Sequence, residues 1–191
     1  GSRAASPAGK ADQVHPPERQ ETAPIHAKRV SAVTADHGDR RAAPPRITVV
    51  GSLNTDLVIR TPRFPAAGET VTGGEFATFP GGKGANQAVA AARLGARVAM
   101  VGCVGGDDFG RRLLAGLQGE GVDVTSVRVD PESASGTALI MVDPTGQNTI
   151  VVAPGANRRL RPGDVARAEG LIARSSVLLL QLEVPIDAVL A

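Results

Sequence analysis

The sequence predicts an α/β fold: a mainly parallel sheet flanked by helices, with a small antiparallel β element beside it. Three observations predict it. From residue 46 onward, short β-branched runs alternate with helix-forming segments. An Asp143-Pro144-Thr145-Gly146 turn joins two adjacent apolar runs, as a hairpin requires. The chain is 42% hydrophobic with a formal net charge of +2, which permits a core and lacks the signature of a fully disordered chain.

Residues 47–51 (ITVVG) are a β-branched run ending in glycine, suited to a buried strand. Residues 56–60 (DLVIR) predict a second strand, and 69–79 one or two more around Gly73-Gly74. A glycine-rich turn then opens a helix over 84–94, with Gly95 placed to stop it. Residues 98–104 predict a strand, and 108–118 a helix with acids in its first turn. Strands follow at 124–129, 137–142 and 149–153, the last two forming the hairpin. Pro162 starts a helix expected to run to Arg174, and 177–182 (VLLLQL) reads as a buried strand. A further helix begins at 185–191, and no internal repeat is visible.

Residues 1–45 read as a disordered tail of Ala, Pro and mixed charge, and 46–191 as the folded part. Residues 1–46 hold eight Lys/Arg and five acids, a net of +3. Of the totals of 21 and 19, that leaves thirteen and fourteen for 47–191, a net of −1. The basic balance therefore belongs to the tail and gives no nucleic-acid-binding face to the domain. All three histidines lie in the tail, which removes Ser-His and Cys-His catalysis and histidine metal sites from the body. The single cysteine, Cys103, can form no internal disulfide and suits a reducing cytoplasm. No apolar run reaches the ~18 residues of a membrane span. Arg40-Arg41 lacks the apolar core that a twin-arginine export signal needs, because Asn54 and Asp56 interrupt the apolar run that starts at Ile47.

Chemistry concentrates in three segments. In Gly51-Ser52-Leu53-Asn54-Thr55-Asp56, at the end of the first strand, Asn54 and Asp56 point the same way if the chain is extended. An amide beside a carboxylate suits polyol hydroxyls, and the same residues also suit an Asx-type turn. In Pro80-Gly81-Gly82-Lys83-Gly84-Ala85-Asn86, glycines let backbone N–H groups approach a ligand at a helix start. Lys83 is the only lysine among thirteen basic residues of the body, and a solvated turn lysine is the plainer alternative. In Gln181-Leu182-Glu183, a carboxylate leaves an apolar strand where it could reach the same crevice, or simply meet solvent. Asp108-Phe109-Gly110 copies a protein-kinase metal motif but lies inside an expected helix. Neither the P-loop spacing nor G-x-G-x-x-G is met.

Residues 46–191 resemble the N-terminal half of the ribokinase-like carbohydrate kinase family. The stretch 81–88 is followed at set spacing by Gly95 and Gly105, and the 25 positions from 81 to 105 fit the family's first signature. Ser135-Gly136-Thr137-Ala138, Gly155-Ala156-Asn157 and Gln181-Leu182-Glu183 add to the likeness. The resemblance implies a ribokinase-like fold whose antiparallel sheet is a lid over the sugar, present here as an incomplete domain. It further implies a cytoplasmic enzyme that transfers the ATP γ-phosphoryl group to O5 of D-ribose, with Mg2+ and K+, and that dimerises through the lid. Asn54, Thr55 and Asp56, the turn of Gly82, Lys83, Gly84, Ala85 and Asn86, and Glu183 would hold the sugar. The family's Gly-Ala-Gly-Asp motif, which carries its catalytic base, does not occur in this sequence. The base and most of the nucleotide and metal sites are therefore expected beyond Ala191, and this chain alone is expected to be inactive. A kinase for another sugar or a nucleoside, and a non-catalytic sugar-binding or dimerising remnant, are the alternatives.

Overall fold

The structure, a computed structural model, describes residues 43–191. Residues 1–42, and with them nearly all of the expected disordered tail, lie outside the described residues. β1 (Arg46–Val50) leads to β2 (Asn54–Arg60), and β3 (Phe76–Gly81) runs into α1 (Lys83–Arg93). Next come β4 (Arg97–Gly105), α2 (Asp108–Gly119) and β5 (Asp123–Asp130), then the hairpin of β6 (Gly136–Val142) and β7 (Asn148–Ala153). A 3-10 turn at Gly155–Arg159 precedes α3 (Pro162–Arg167), α4 (Glu169–Ile172), β8 (Val177–Leu180) and α5 (Ile186–Val189).

A first sheet, ordered β5-β4-β1-β8, is parallel throughout. Neighbouring residues of one strand serve opposite cores. Val49, Met100 and Val104 pack with Ala85 and Ala88 of α1 and Leu113 and Leu117 of α2. Val50, Val101 and Cys103 pack with Ala156, Leu160, Val165 and Ala188. This two-sided burial is why β1 and β4 read as continuous apolar runs. Met100, Leu53 and Leu160 are fully buried, each contributing about 1.5–3 kcal/mol relative to exposure. Cys103 is wholly inside the second core, where burial pushes its thiol up to about 11.

The second sheet, ordered β3-β2-β6-β7, is mixed, which corrects the expectation of an antiparallel element. β2 pairs antiparallel with β3 and β6 antiparallel with β7, but the central pair β2–β6 is parallel. Both central strands follow directly on strands of the first sheet, β1 and β5, and so run in the same direction. Of the one or two strands expected over 69–79, one forms, β3, and just before it the Gly74 N–H donates to Arg60 O at 2.8 Å. Two other expectations are corrected. The helix expected over 162–174 breaks at Ala168, between segments weakened by Gly163 and Gly170. The strand expected to be buried over 177–182 ends at Leu180, with Val177 and Leu180 43% and 45% exposed. Its place at the end of the sheet explains this, since among the described residues only β1 pairs with it.

Candidate functional site

At the carboxyl end of β1 the chain crosses from one sheet to the other through Gly51-Ser52-Leu53. A cleft of about 560 Å3 opens there, lined by Ser52, Asn54, Val152, Asn157, Arg158 and Glu183 among others. Strand ends of this kind are where open α/β sheets bind ligands.

Asn54 and Asp56 both lie on β2, so they share a face. Asn54 is buried, with its Oδ1 accepting from Asn157 Nδ2 at 2.7 Å. Asn157, itself 1% exposed, clasps the backbone of Leu53: its Oδ1 accepts from Leu53 N at 2.9 Å and its Nδ2 donates to Leu53 O at 2.9 Å. Gly136, opposite Asn54 in the β2–β6 register, makes this contact possible. A Cβ there would stand 2.1 Å from Asn54 Oδ1 and 2.2 Å from Asn157 Nδ2. Asp56 is half-buried over Gly81, and burial, then the nearby Glu183 charge, raises its carboxyl above the usual range.

Glu183 faces this pair from beyond β8. Its carboxylate accepts from Ser52 Oγ at 2.9 Å and pairs with the Lys83 ammonium. Burial works to raise the Glu183 carboxyl, but the bonds from Lys83 and Ser52 outweigh it and hold the group below its ordinary value. Lys83 is thus exposed yet tied at its tip, at the first position of α1. Gly82 caps that helix with φ 92, in the left-handed region that favours glycine. The helix-start amides differ from expectation. The Ala85 N–H donates to Ser52 O at 3.0 Å and the Gly84 N–H points at Ser52 Oγ at 3.5 Å, so Ser52 takes up groups that a ligand was expected to meet.

Asn54, Asp56, Lys83 and Glu183 are therefore brought together, with Gly82, Gly84 and Ala85 forming the buried turn beneath Lys83. Asn86 lies exposed on the first turn of α1. Thr55 is not part of the cleft: as the residue between Asn54 and Asp56 it turns to the other face of β2, into a groove with Phe79, Phe109 and Leu113. Sequence reasoning did not single out Ser52 or Asn157 as site residues. Their signals were a hydroxyl between two strand ends and an amide just after the Gly155-Ala156 pair. The kinase-like Asp108-Phe109-Gly110 triplet is the start of α2, as expected, with Asp108 exposed beside Arg111 and Asp107 capping the helix through the Gly110 N–H.

The same fold occurs in solved structures. A ribokinase from Thermotoga maritima superposes with a TM-score of 0.68 at 39% identity, over 76% of this chain and 48% of that one. Arabidopsis thaliana ribokinase, complexed with ribose and ATP, superposes with a TM-score of 0.66 at 34% identity, over 77% of this chain and 49% of that one. The fold is thus of the ribokinase-like α/β class. Residues 44–190 match the model of the pfkB family carbohydrate kinases, and the chain belongs to that family. It is 46% identical over 143 residues to a ribokinase of Haemophilus influenzae, covering 75% of this chain and 47% of that protein. A deoxyribokinase of Salmonella typhi is 40% identical over 143 residues, with 75% and 47% covered. The chain spans about half the length of the curated relatives it matches.

Proposed function

We propose that this chain forms the sugar side of an enzyme that transfers the γ-phosphoryl group of ATP to O5 of D-ribose, giving ribose 5-phosphate. The observation that carries the reading is that Asn54 and Glu183 line the cleft, while the Asp56 carboxylate shares Asn54's strand face and lies near the Glu183 charge. The carboxylates accept from neighbouring hydroxyls and the amide adds a directed contact, which is how a polyol is held and oriented. The likeness to ribokinases at 46% identity supports ribose as the sugar.

ATP is the phosphoryl donor in this reading, with Mg2+ and K+ as its expected companions. Among the described residues no three His, Cys, Asp or Glu side chains converge on a point where they could hold a metal ion. When bound, Mg2+ would neutralise phosphate charge; the residues of this chain bind and orient the sugar. The assigned sugar contacts are Asn54, Asp56, Lys83, the backbone of Gly82, Gly84 and Ala85, Asn86 and Glu183, with Thr55 serving only by holding β2 in place. The exposed second sheet is the lid, and two copies of it pair in a cytoplasmic homodimer. The exposed apolar side chains of β6 and β7, Ile150 among them, are the surface for that pairing. No helix among the described residues is long and apolar enough to cross a membrane.

Calorimetric titration of this chain with D-ribose, 2-deoxyribose, fructose and adenosine tests the sugar, and ADP release by the full-length enzyme tests the transfer. Ribose binds most tightly in this reading, and Asp56→Ala weakens it at least tenfold, the loss of about one charged hydrogen bond. Unchanged ribose affinity in that variant would remove Asp56 from the site. Light scattering at micromolar concentration reports the dimer.

A further inference from the structure

The clasp made by Asn157 settles which way the Asn54 amide faces. Backbone groups have fixed polarity: the Leu53 N–H can only donate and the Leu53 C=O can only accept. The Asn157 atom 2.9 Å from Leu53 N is therefore its oxygen, and the atom 2.9 Å from Leu53 O is its nitrogen. That same nitrogen lies 2.7 Å from the Asn54 side chain, so the Asn54 atom receiving it is the oxygen. The Asn54 oxygen is thus turned inward onto Asn157. Its nitrogen has no hydrogen bond to another described residue, and no buried side-chain nitrogen or oxygen among the described residues lacks a partner. The Asn54 Nδ2 is accordingly open to the cleft that Asn54 lines.

We infer that Asn157 is a positioning residue that makes Asn54 a hydrogen-bond donor only, so that the cleft sets a fixed donor beside the fixed acceptor of Asp56. A hydroxyl can answer either group by rotating. A substituent that accepts without donating can be tolerated only at Asn54, and nowhere against the Asp56 carboxylate. The inference rests on the sugar-binding reading for its consequence in specificity, but the orientation of Asn54 does not.

Two measurements on this chain test it. Side-chain amide hydrogen exchange, followed by NMR without any ligand, reads the orientation directly. The Asn157 amide protons are expected to exchange at least tenfold more slowly than those of Asn54. In Asn157→Asp, which can no longer donate to Asn54 Oδ1, Asn54 turns over and its own amide protons become protected. Equal protection of the two amides in the wild type, or no change at Asn54 in the variant, overturns the inference whatever the ligand is. The second measurement is calorimetry with D-ribose and its singly deoxyfluorinated analogues, in which fluorine accepts weakly and cannot donate. One analogue is expected to bind the wild type within about tenfold of ribose, on the scale of one neutral hydrogen bond. Asn157→Asp should lose that analogue while keeping ribose within about tenfold. An equal loss of both ligands would mean that Asn157 only holds the fold. No ribose binding by the wild type, with the exchange pattern intact, would instead sink the proposed function and leave the orientation standing.

Discussion

The two sheets are built from equally apolar strands, yet only one of them is covered. In the first sheet, eight of the nine β4 residues are buried, because helices and turns close over both faces. In the second sheet every residue of β7 is exposed, and Leu139, Ile150 and Val151 stand 54%, 49% and 61% open. A parallel sheet buried on both sides is a scaffold, whose side chains are fixed by packing on every side. A sheet with apolar residues left open is a surface for something else, since patches of this kind mark contact sites. The cleft lies where the two meet, so it draws its walls from both a packed scaffold and a partly open sheet.

The contrast can be broken by substitution. The largest effect is expected from Met100→Ala, which removes a fully buried side chain of the scaffold and should cost about 3 kcal/mol in urea unfolding. Val151→Ala in the second sheet should cost less than about 0.5 kcal/mol. Equal costs would mean that the second sheet is as tightly held as the first. Gly136→Ala comes next, at the joint between them. The added Cβ collides with both Asn54 and Asn157, and overpacking of this kind costs about 2 kcal/mol. Ribose affinity should fall together with stability in that variant, whereas Met100→Ala should lower stability alone.

Glu183→Gln is a smaller probe of the cleft wall. Lys83 and Glu183 are partly exposed, so the pair contributes about 0.5 kcal/mol or less, and less still in high salt. Because the folded state holds the Glu183 carboxyl below its ordinary value, its contribution is present above the ordinary carboxylate range and fades as pH falls through the lowered value. Glu183→Gln should flatten that part of the stability profile; an unchanged acid limb would show that the pair does not matter to folding. Least of all should Ile150→Glu affect the folding of the single chain, with a change within about 0.5 kcal/mol. Its expected effect is on self-association, where scattering mass should drop to that of a monomer.

Much of this was legible in the sequence, and the limits have physical causes. The parallel sheet could be read because burial on both faces leaves unbroken apolar runs such as 98–104. The pairing of Asn54 with Asp56 followed from the two-residue period of a strand, and the turn at 143–146 announced the hairpin. The parallel β2–β6 pair was not legible, because strand direction depends on where the chain re-enters the sheet and not on its composition. Nor was the exposure of β8, whose apolar residues look the same whether a neighbouring strand covers them or not. Thr55 was grouped with its neighbours by position, although the alternation that joins Asn54 to Asp56 turns Thr55 away. The Asn157 clasp joins residues 103 and 104 positions apart, a distance over which no local pattern carries a signal.

Cys103 gives the chain an internal reporter. It is the only thiol in the sequence, has no measurable exposure, and is held protonated by its surroundings far above neutral pH. A maleimide or disulfide reagent can reach it only when the second core opens. Pulsed labelling at this one position therefore counts opening events of the scaffold without any added probe. Slower labelling on addition of a sugar would measure how much that sugar steadies the floor beneath it.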